Sequence, residues 1–261
     1  MCSALFLTLK LLKELRRLKT SFFIVQSDAW QRAEIELSYT ALGPKHAEAA
    51  AHLLAKTFCE EPLNKSRGIT ASEMLPVALA ESRRAAAEGL GTICTAYASC
   101  GTSQVVGVFV SADWLAPIQD LPEDVDMVKF EPIFEVIEQL DAEFIATCSH
   151  APQRGEILHQ LMIGVDVHYA RRGIAKNLIQ ANLAQACAQG FKLAVMAATS
   201  CFSQAAAKRV GYSTVGKSTP YELFEFGGTR PFQGVESILG HKHVELLTRS
   251  IEPGDDFAWK K

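Results

Sequence analysis

The chain has 261 residues, a formal net charge of −3 at pH 7 and 48% hydrophobic residues, a composition typical of a globular protein with a substantial core. The slightly acidic balance argues against a nucleic-acid-binding protein, which usually carries a basic surplus or a basic stripe. No apolar run reaches the roughly 18 residues that cross a membrane, so we expect no transmembrane segment.

The N-terminal region is basic and amphipathic. Leucines alternate with lysines and arginines over residues 1–25, which predicts an amphipathic helix. We interpret residues 1–30 as an extension that packs loosely, with membrane-surface contact or a transit peptide as alternatives. Lys10 interrupts the apolar stretch and disfavours a secretory signal. The expected domain is 31–255, followed by a tail at 256–261.

The first half of the domain alternates between strand and helix patterns. Residues 34–40 show the alternation of a strand, and an alanine-rich helix is predicted to end before Pro62. The next helix is expected to open on Thr70 or Ser72, with Glu73 placed for a capping interaction. The predicted elements are helices at 45–58, 70–90 and 130–144, hairpin strands at 92–98 and 105–112, and a long loop at 113–129.

The second half continues this alternation. A continuous apolar run at 192–198 predicts a buried strand. The other predicted elements are strands at 156–165, 213–226 and 243–251 and helices at 173–189 and 203–210. The order predicts an α/β protein of one domain, with a mixed central sheet and helices on both faces.

A basic turn follows the strand at 156–165. The apolar run breaks at Arg171, Arg172 and Gly173 and passes directly into a helix. Free main-chain N–H groups at a helix start, together with two guanidinium groups, can hold a diphosphate without a metal ion. A side chain on the glycine would block close approach of the phosphate. The alternative is an ordinary structural turn.

This turn resembles the acetyl-CoA signature Gln/Arg-x-x-Gly-x-Gly/Ala of the GCN5-related N-acetyltransferases (GNATs). Gly173 and Ala175 match the signature, whereas Ala170 stands at its first position. The resemblance implies that main-chain amides of the turn bind the cofactor diphosphate, in a segment that also contains Arg171, Arg172 and Ile174. It also implies that the preceding strand, at Ile163, Gly164 and Val165, splays from its neighbour and binds the pantetheine arm and the thioester.

Three further segments resemble the insect-type arylalkylamine N-acetyltransferases. They are residues 57–64 (TFCEEPLN), residues 199–203 (TSCFS) with 208–212 (KRVGY), and residues 241–247 (HKHVELL). The resemblance covers roughly residues 35–251 and implies acetyl transfer from acetyl-CoA to a primary amine of the dopamine, serotonin and octopamine class. It also implies direct attack by the amine, without a covalent enzyme intermediate.

The same resemblance implies the catalytic residues. Glu61 is expected to be the general base, with a pKa raised by partial burial. The alternatives are an ordinary helix-end carboxylate and a hydrogen-bond partner to loop amides. Ser203 and Thr199 match the two hydroxyl positions of this branch, although Thr199 stands where serine is usual and Ser200 is an alternative. Ser203 is otherwise a helix N-cap. Ala207 excludes the tyrosine acid that many other GNATs place at this position.

Aromatic and apolar side chains beside the matched segments are candidates for binding the amine. They are Phe58, Met74, Phe202 and His241. Two alternatives keep the fold: an N-acetyltransferase for polyamines or protein amines, and a non-catalytic acetyl-CoA-binding protein. The seven cysteines never occur with Cys-x-x-Cys spacing, so we expect reduced thiols in a cytoplasmic protein and no metal. The sequence leaves the oligomeric state open.

Overall fold

The computed structural model describes residues 35–117 and 126–252. The N-terminal extension and the tail expected from the sequence, and the domain boundaries drawn beside them, lie outside these residues. Two compact units are distinguished among the described residues. One comprises 39–95 with 105–252, and it contains every residue of the candidate site; the other comprises 35–38 with 96–104.

Seven strands of the described residues form one mixed sheet, in the order β1-β2-β3-β4-β5-β7-β6. Strands β4 and β5 are parallel, whereas the β3–β4, β5–β7 and β6–β7 pairs are antiparallel. The strands are β1 Ile35–Ala41, β2 Gly91–Ala98, β3 Ser103–Asp113, β4 Ile157–Val165, β5 Leu193–Ala198, β6 Ser213–Pro220 and β7 His243–Ser250.

The helices follow the predicted order, with two short additions. They are α1 Ala47–Phe58, α2 Pro62–Ser66, α3 Ala71–Glu88, α4 Glu131–Thr147, α5 Ile174–Ala188, α6 Cys201–Lys208 and α7 Val235–Leu239. The capping interaction of Glu73 is confirmed, and Thr70 is the N-cap of α3: the Thr70 hydroxyl accepts from the Glu73 N–H while the Glu73 carboxylate accepts from the Thr70 N–H. Among the described residues, no helix combines the length and the apolarity needed to cross a membrane.

The predicted strand at 213–226 was too long. The strand ends at Pro220, and Tyr221–Leu223 forms a 3-10 helix. Proline has no N–H with which to continue the ladder, and the next N–H, that of Tyr221, donates to the carbonyl of Lys242. The short helices α2 and α7 were not predicted, because five residues give too little periodicity.

The surroundings of two glycines show that helices cover both faces of the sheet. Gly107 on β3 pairs with Val165 on β4, and the next pair is Val108 with Gly164, so the two glycines point to opposite faces. A Cβ on Gly107 would lie 2.7 Å from Ile174 of α5. A Cβ on Gly164 would lie 2.3 Å from Thr57 Oγ1 of α1. The predicted α/β architecture with two helical faces is confirmed.

We therefore expect Gly164→Ala to lower the free energy of unfolding by about 1–3 kcal/mol, the usual cost of overpacking a core. The Thr57 hydroxyl that meets the new Cβ already donates to main-chain carbonyls of α1 and cannot move freely. Urea denaturation measures the effect, with Gly43→Ala as the control because its Cβ would meet no atom within 4 Å. Combining Gly164→Ala with Thr57→Ala should recover part of the loss; strict additivity of the two would contradict this packing account.

Candidate active site

A cleft opens where β4 and β5 separate. The two strands pair only from Ile157 with Leu193 to Gln160 with Met196, although β4 continues to Val165. The register of β4 against β3 shifts beside Gln160, so that β4 contains one extra residue there. A cavity of about 680 Å³ lies at this cleft. From residue 161 to residue 165, the main-chain groups of β4 are therefore left unpaired by β5.

The cavity brings together most of the residues selected from the sequence. Of the candidates for catalysis and amine binding, all but Met74 line it: Phe58, Glu61, Thr199, Phe202, Ser203 and His241. Met74 is buried in the core at 3% exposure instead, so its selection was wrong. From β4, Ile163 and Val165 line the cavity, and Gly164, as the intervening residue, faces α1.

Glu61 is held by one carboxylate oxygen and presents the other without a partner. It is the N-cap of α2, in which Pro62 occupies the first position. Its Oε2 accepts hydrogen bonds from the N–H of Leu63 at 3.0 Å, the N–H of Asn64 at 3.2 Å and the Asn64 Nδ2 at 3.1 Å. Its Oε1 is buried and receives no hydrogen bond from any described residue. An oriented carboxylate with one free oxygen is suited to accept a proton.

Burial raises the pKa of Glu61 from 4.5 to about 7. Loss of hydration is the largest cause, since the charged carboxylate is poorly stabilised away from water. The Thr199 hydroxyl and the amides of α2 oppose this rise. The Thr199 hydroxyl thus interacts with the carboxyl group, although Oε1 receives no hydrogen bond from the described residues. A pKa near neutrality is the value that general-base catalysis requires at physiological pH.

The hydroxyl groups at the start of α6 have distinct environments. Ser200, and not Ser203, is the N-cap, so the helix begins two residues before its predicted start at 203. The Ser200 Oγ accepts from the Ser203 N–H at 3.1 Å, and the Ser203 Oγ accepts from the Ser200 N–H at 3.3 Å. The Ser203 hydroxyl also lies 2.9 Å from the Ser200 carbonyl, to which it donates. Thr199, by contrast, contributes its side chain to the environment of Glu61.

Tyr221 positions the segment that contains Thr199. Its fully buried phenol donates to the Thr199 carbonyl. Burial and the negative charge of nearby Glu61 both raise the pKa of Tyr221, so the phenol remains a neutral donor. The sequence did not indicate this role, because Tyr221 is contributed by a segment that was assigned to a strand.

His241 forms part of the wall of the cavity. Its Nδ1 accepts from the Cys201 N–H at 3.1 Å, which places the proton of the neutral imidazole on Nε2. Burial lowers the pKa of His241 and favours this neutral form. The ring of Phe202 packs edge-on against it at a centroid distance of 5.5 Å. Phe202 itself is 75% exposed and lies at the mouth of the cavity.

The basic turn has an unusual backbone conformation directly before α5. Arg171 and Gly173 have left-handed backbones, with φ of 62° and 77°. Gly173 precedes α5, and the first main-chain hydrogen bond of that helix runs from Asn177 to the Gly173 carbonyl. The N–H groups of residues 171–176 donate to no acceptor in the described residues. Ile174 is buried and Ala175 half-buried, while both arginine side chains are exposed.

No sequence-family model matches the chain, and no curated protein sequence matches it. Several solved structures, by contrast, are similar to this chain. The C-terminal condensation domain of Ebony in complex with β-alanyl-dopamine aligns over 84% of this chain and 100% of its own, with 15% identity and a TM-score of 0.67. Arylalkylamine N-acetyltransferase 2 from Aedes aegypti aligns over 83% and 100%, with 18% identity and a TM-score of 0.65.

A third structure is the Drosophila melanogaster polyamine N-acetyltransferase that catalyses formation of N-acetylagmatine. It aligns over 82% of this chain and 100% of its own, with 14% identity and a TM-score of 0.61. The chain has the GNAT fold.

Within the GNAT fold of this chain, several cavity residues escaped sequence reasoning. Asn64 had been matched only as part of a motif, yet its side chain holds the Glu61 carboxylate. Ile133 and Ile137, one turn apart on α4, also line the cavity. Gln160 lies at the last pair of the β4–β5 ladder. A pattern along the chain cannot identify such residues, because their contacts join distant segments.

Proposed function

We propose that this protein is an acetyl-CoA-dependent N-acetyltransferase that acetylates the primary amine of a small arylalkylamine. The observation that carries the proposal is the buried Glu61 carboxyl group, with one oxygen fixed by α2 and the other free, in a cavity beside the split between β4 and β5. This arrangement combines a proton acceptor with a strand whose main-chain groups are available to a thioester substrate.

The cofactor half of the site fits acetyl-CoA. Free amides of residues 171–176 and the exposed guanidinium groups of Arg171 and Arg172 suit a diphosphate. The unpaired edge of β4 at Ile163 and Val165 suits the amide-containing pantetheine arm, which would place the thioester in the cavity near Glu61. No metal ion is needed for this chemistry.

In the proposed reaction Glu61 Oε1 takes a proton from the alkylammonium ion and passes it to water, and the neutral nitrogen attacks the thioester carbonyl carbon. The attacking nitrogen then gives its second proton to Glu61. The tetrahedral intermediate collapses, the C–S bond breaks and coenzyme A leaves as a thiolate, which then takes up a proton. We assign the Thr199 hydroxyl, and not the Ser203 hydroxyl, as the donor of this last proton. The Ser203 hydroxyl is already committed to Ser200, whereas Thr199 lies beside Glu61, from which it can be reprotonated.

The acceptor end favours an aromatic monoamine. Its walls include Phe58, Phe202 and the neutral His241, together with apolar residues of α4. Three carboxylates line the cavity, but Glu60 is paired with Lys65 and Asp166 with Lys56. Within the described residues, Glu61 is therefore the cavity carboxylate without a cationic partner. A polyamine would need a second free carboxylate for its distal charge.

The test is coenzyme A release from acetyl-CoA with dopamine, serotonin, tryptamine, phenethylamine, spermidine and a lysine peptide. We expect the aromatic amines to exceed spermidine and the peptide in kcat/KM by at least about tenfold, the discrimination that ~1.4 kcal/mol of differential binding gives.

Activity confined to spermidine or the peptide would support an acetyltransferase but contradict the proposed arylalkylamine substrate. Binding of acetyl-CoA without turnover of any amine would favour a non-catalytic acetyl-CoA-binding protein. We also propose a cytoplasmic location, on the basis of cysteine spacing that predicts reduced thiols.

A further inference from the structure

Four buried polar side chains form a continuous hydrogen-bonded network beneath the cavity. The Tyr212 hydroxyl donates to Gln160 Oε1 at 2.6 Å, and Gln160 Nε2 donates to Asn182 Oδ1 at 2.9 Å. The Ser111 hydroxyl donates to the same Asn182 oxygen at 2.9 Å, and Asn182 Nδ2 donates to the Leu90 carbonyl at 3.0 Å. All four side chains are at most 4% exposed.

The network meets the sheet at the point where the cleft begins. Gln160 forms the last parallel pair of β4 with β5, opposite Met196. It also borders the register shift between β4 and β3, where its partner is Ser111. Gln160 therefore belongs both to the end of one ladder and to the irregularity of the other, and it lines the cavity as well.

The other two members connect this point to the two helices of the candidate site. Asn182 lies on α5, the helix that begins directly after Gly173 of the basic turn. Tyr212 follows α6, the helix that begins beside Thr199 and Ser200. The network thus joins the apex of the cleft to the cofactor-side helix and to the acceptor-side helix.

Stability alone does not call for such a network. Apolar side chains of the same shape would fill this space at similar or lower free energy, because buried polar groups lose hydration. A fully hydrogen-bonded buried network instead restricts its members to one arrangement. Burial also raises the pKa of Tyr212, so its hydroxyl keeps the proton that it donates.

We propose that Tyr212, Gln160, Asn182 and Ser111 are positioning residues that set the width of the β4–β5 cleft for the pantetheine arm of acetyl-CoA. The inference rests on the proposed acetyl-CoA-dependent function. Its consequence is that removing one hydroxyl group remote from the cofactor turn weakens acetyl-CoA binding, while Glu61 and the acceptor walls stay unchanged.

The test is Tyr212→Phe, which deletes only the hydroxyl and leaves the Gln160 oxygen without its donor. We expect the dissociation constant of acetyl-CoA, measured by calorimetry, to rise about tenfold, equivalent to ~1.4 kcal/mol. The KM for acetyl-CoA should rise in parallel. At saturating acetyl-CoA, kcat should remain within about twofold of the unmutated value, because a single buried hydrogen bond is lost. The pH profile of kcat should not shift, because Glu61 is unchanged.

Thr92→Val is the matched control. The Thr92 hydroxyl is also fully buried and links the sheet to α5, through a 3.0 Å bond to Gln185, but it does not reach Gln160. Both variants should lower the melting temperature to a similar extent. Only Tyr212→Phe should weaken acetyl-CoA binding. Ser111→Ala replaces Tyr212→Phe if the latter fails to fold.

Equal effects of the two variants on acetyl-CoA affinity, or no effect of either, would overturn the positioning role. Such a result would leave the proposed function intact, because the unmutated protein would still bind acetyl-CoA. Absence of acetyl-CoA binding by the unmutated protein would overturn the proposed function and this inference together.

Discussion

Replacing Glu61 by glutamine should reduce kcat/KM for the preferred aromatic amine by about 100- to 10,000-fold, the usual contribution of a general base. Glutamine keeps an oxygen that can cap α2, but it removes the group that accepts the amine proton. Steady-state coenzyme A release measures the loss. Acetyl-CoA affinity should change little, because the diphosphate turn and β4 remain unchanged.

Glu60→Gln is the matched control for this experiment. It makes the same change at the adjacent residue, whose carboxylate pairs with Lys65 at the surface. We expect an effect below about twofold, since exposed ion pairs contribute little. If Glu61→Gln and Glu60→Gln reduced the rate equally, Glu61 would not be the base.

The pH profile offers a second readout of Glu61. The base must be ionised, so with a pKa of about 7 the unmutated rate should rise with pH through neutrality. In Glu61→Gln the rise of the rate should shift to higher pH, toward the amine substrate's pKa of about 10. Stability should change with pH in the opposite direction to the rate, because the folded protein holds the Glu61 proton more tightly than the unfolded chain does. The stabilising contribution of the protonated group is complete below about 4.5 and is lost as pH rises toward about 7.

Thermal denaturation of Glu61→Gln should therefore reveal no loss of stability relative to the unmutated protein at pH 8. A large loss of melting temperature would instead reassign Glu61 to a structural role at the start of α2.

The second large effect is expected at the basic turn. Gly173→Leu should weaken acetyl-CoA binding by about 10- to 100-fold, because the side chain would keep the diphosphate from one main-chain amide worth ~1.5–3 kcal/mol. The position has open space, since a Cβ there would meet no protein atom within 4 Å. Any loss beyond backbone strain thus reflects the ligand.

Gly155→Leu controls for that strain. Gly155 has the same φ of 77° and equally open surroundings, but it lies before β4 and outside the basic turn. The two variants should lose similar stability, about 1–2 kcal/mol for a left-handed side-chain-bearing residue. Calorimetric titration with acetyl-CoA distinguishes them. An unchanged dissociation constant in Gly173→Leu would place the diphosphate elsewhere.

The local elements were largely predictable from the sequence, because hydrophobic periodicity and capping residues act over a few positions. Thr70 and Glu73 specified the start of α3, and Gly173 specified the break between β4 and α5. The short motif around Glu61 indicated a rigid turn after α1. It did not reveal that Asn64 holds one oxygen of Glu61 while the other stays free, because that depends on three-dimensional geometry.

By itself, the sequence determined the α/β class, the order of the long elements and the residues suited to a basic turn and a proton acceptor. Those properties follow from side-chain pattern and from backbone preference, which are local. Only the tertiary structure decided that Glu61, Thr199 and His241 share one cavity and that Tyr212 reaches Gln160 at the apex of the cleft. Burial, and with it the pKa of Glu61, arises from packing between segments far apart in the chain, which no local pattern encodes.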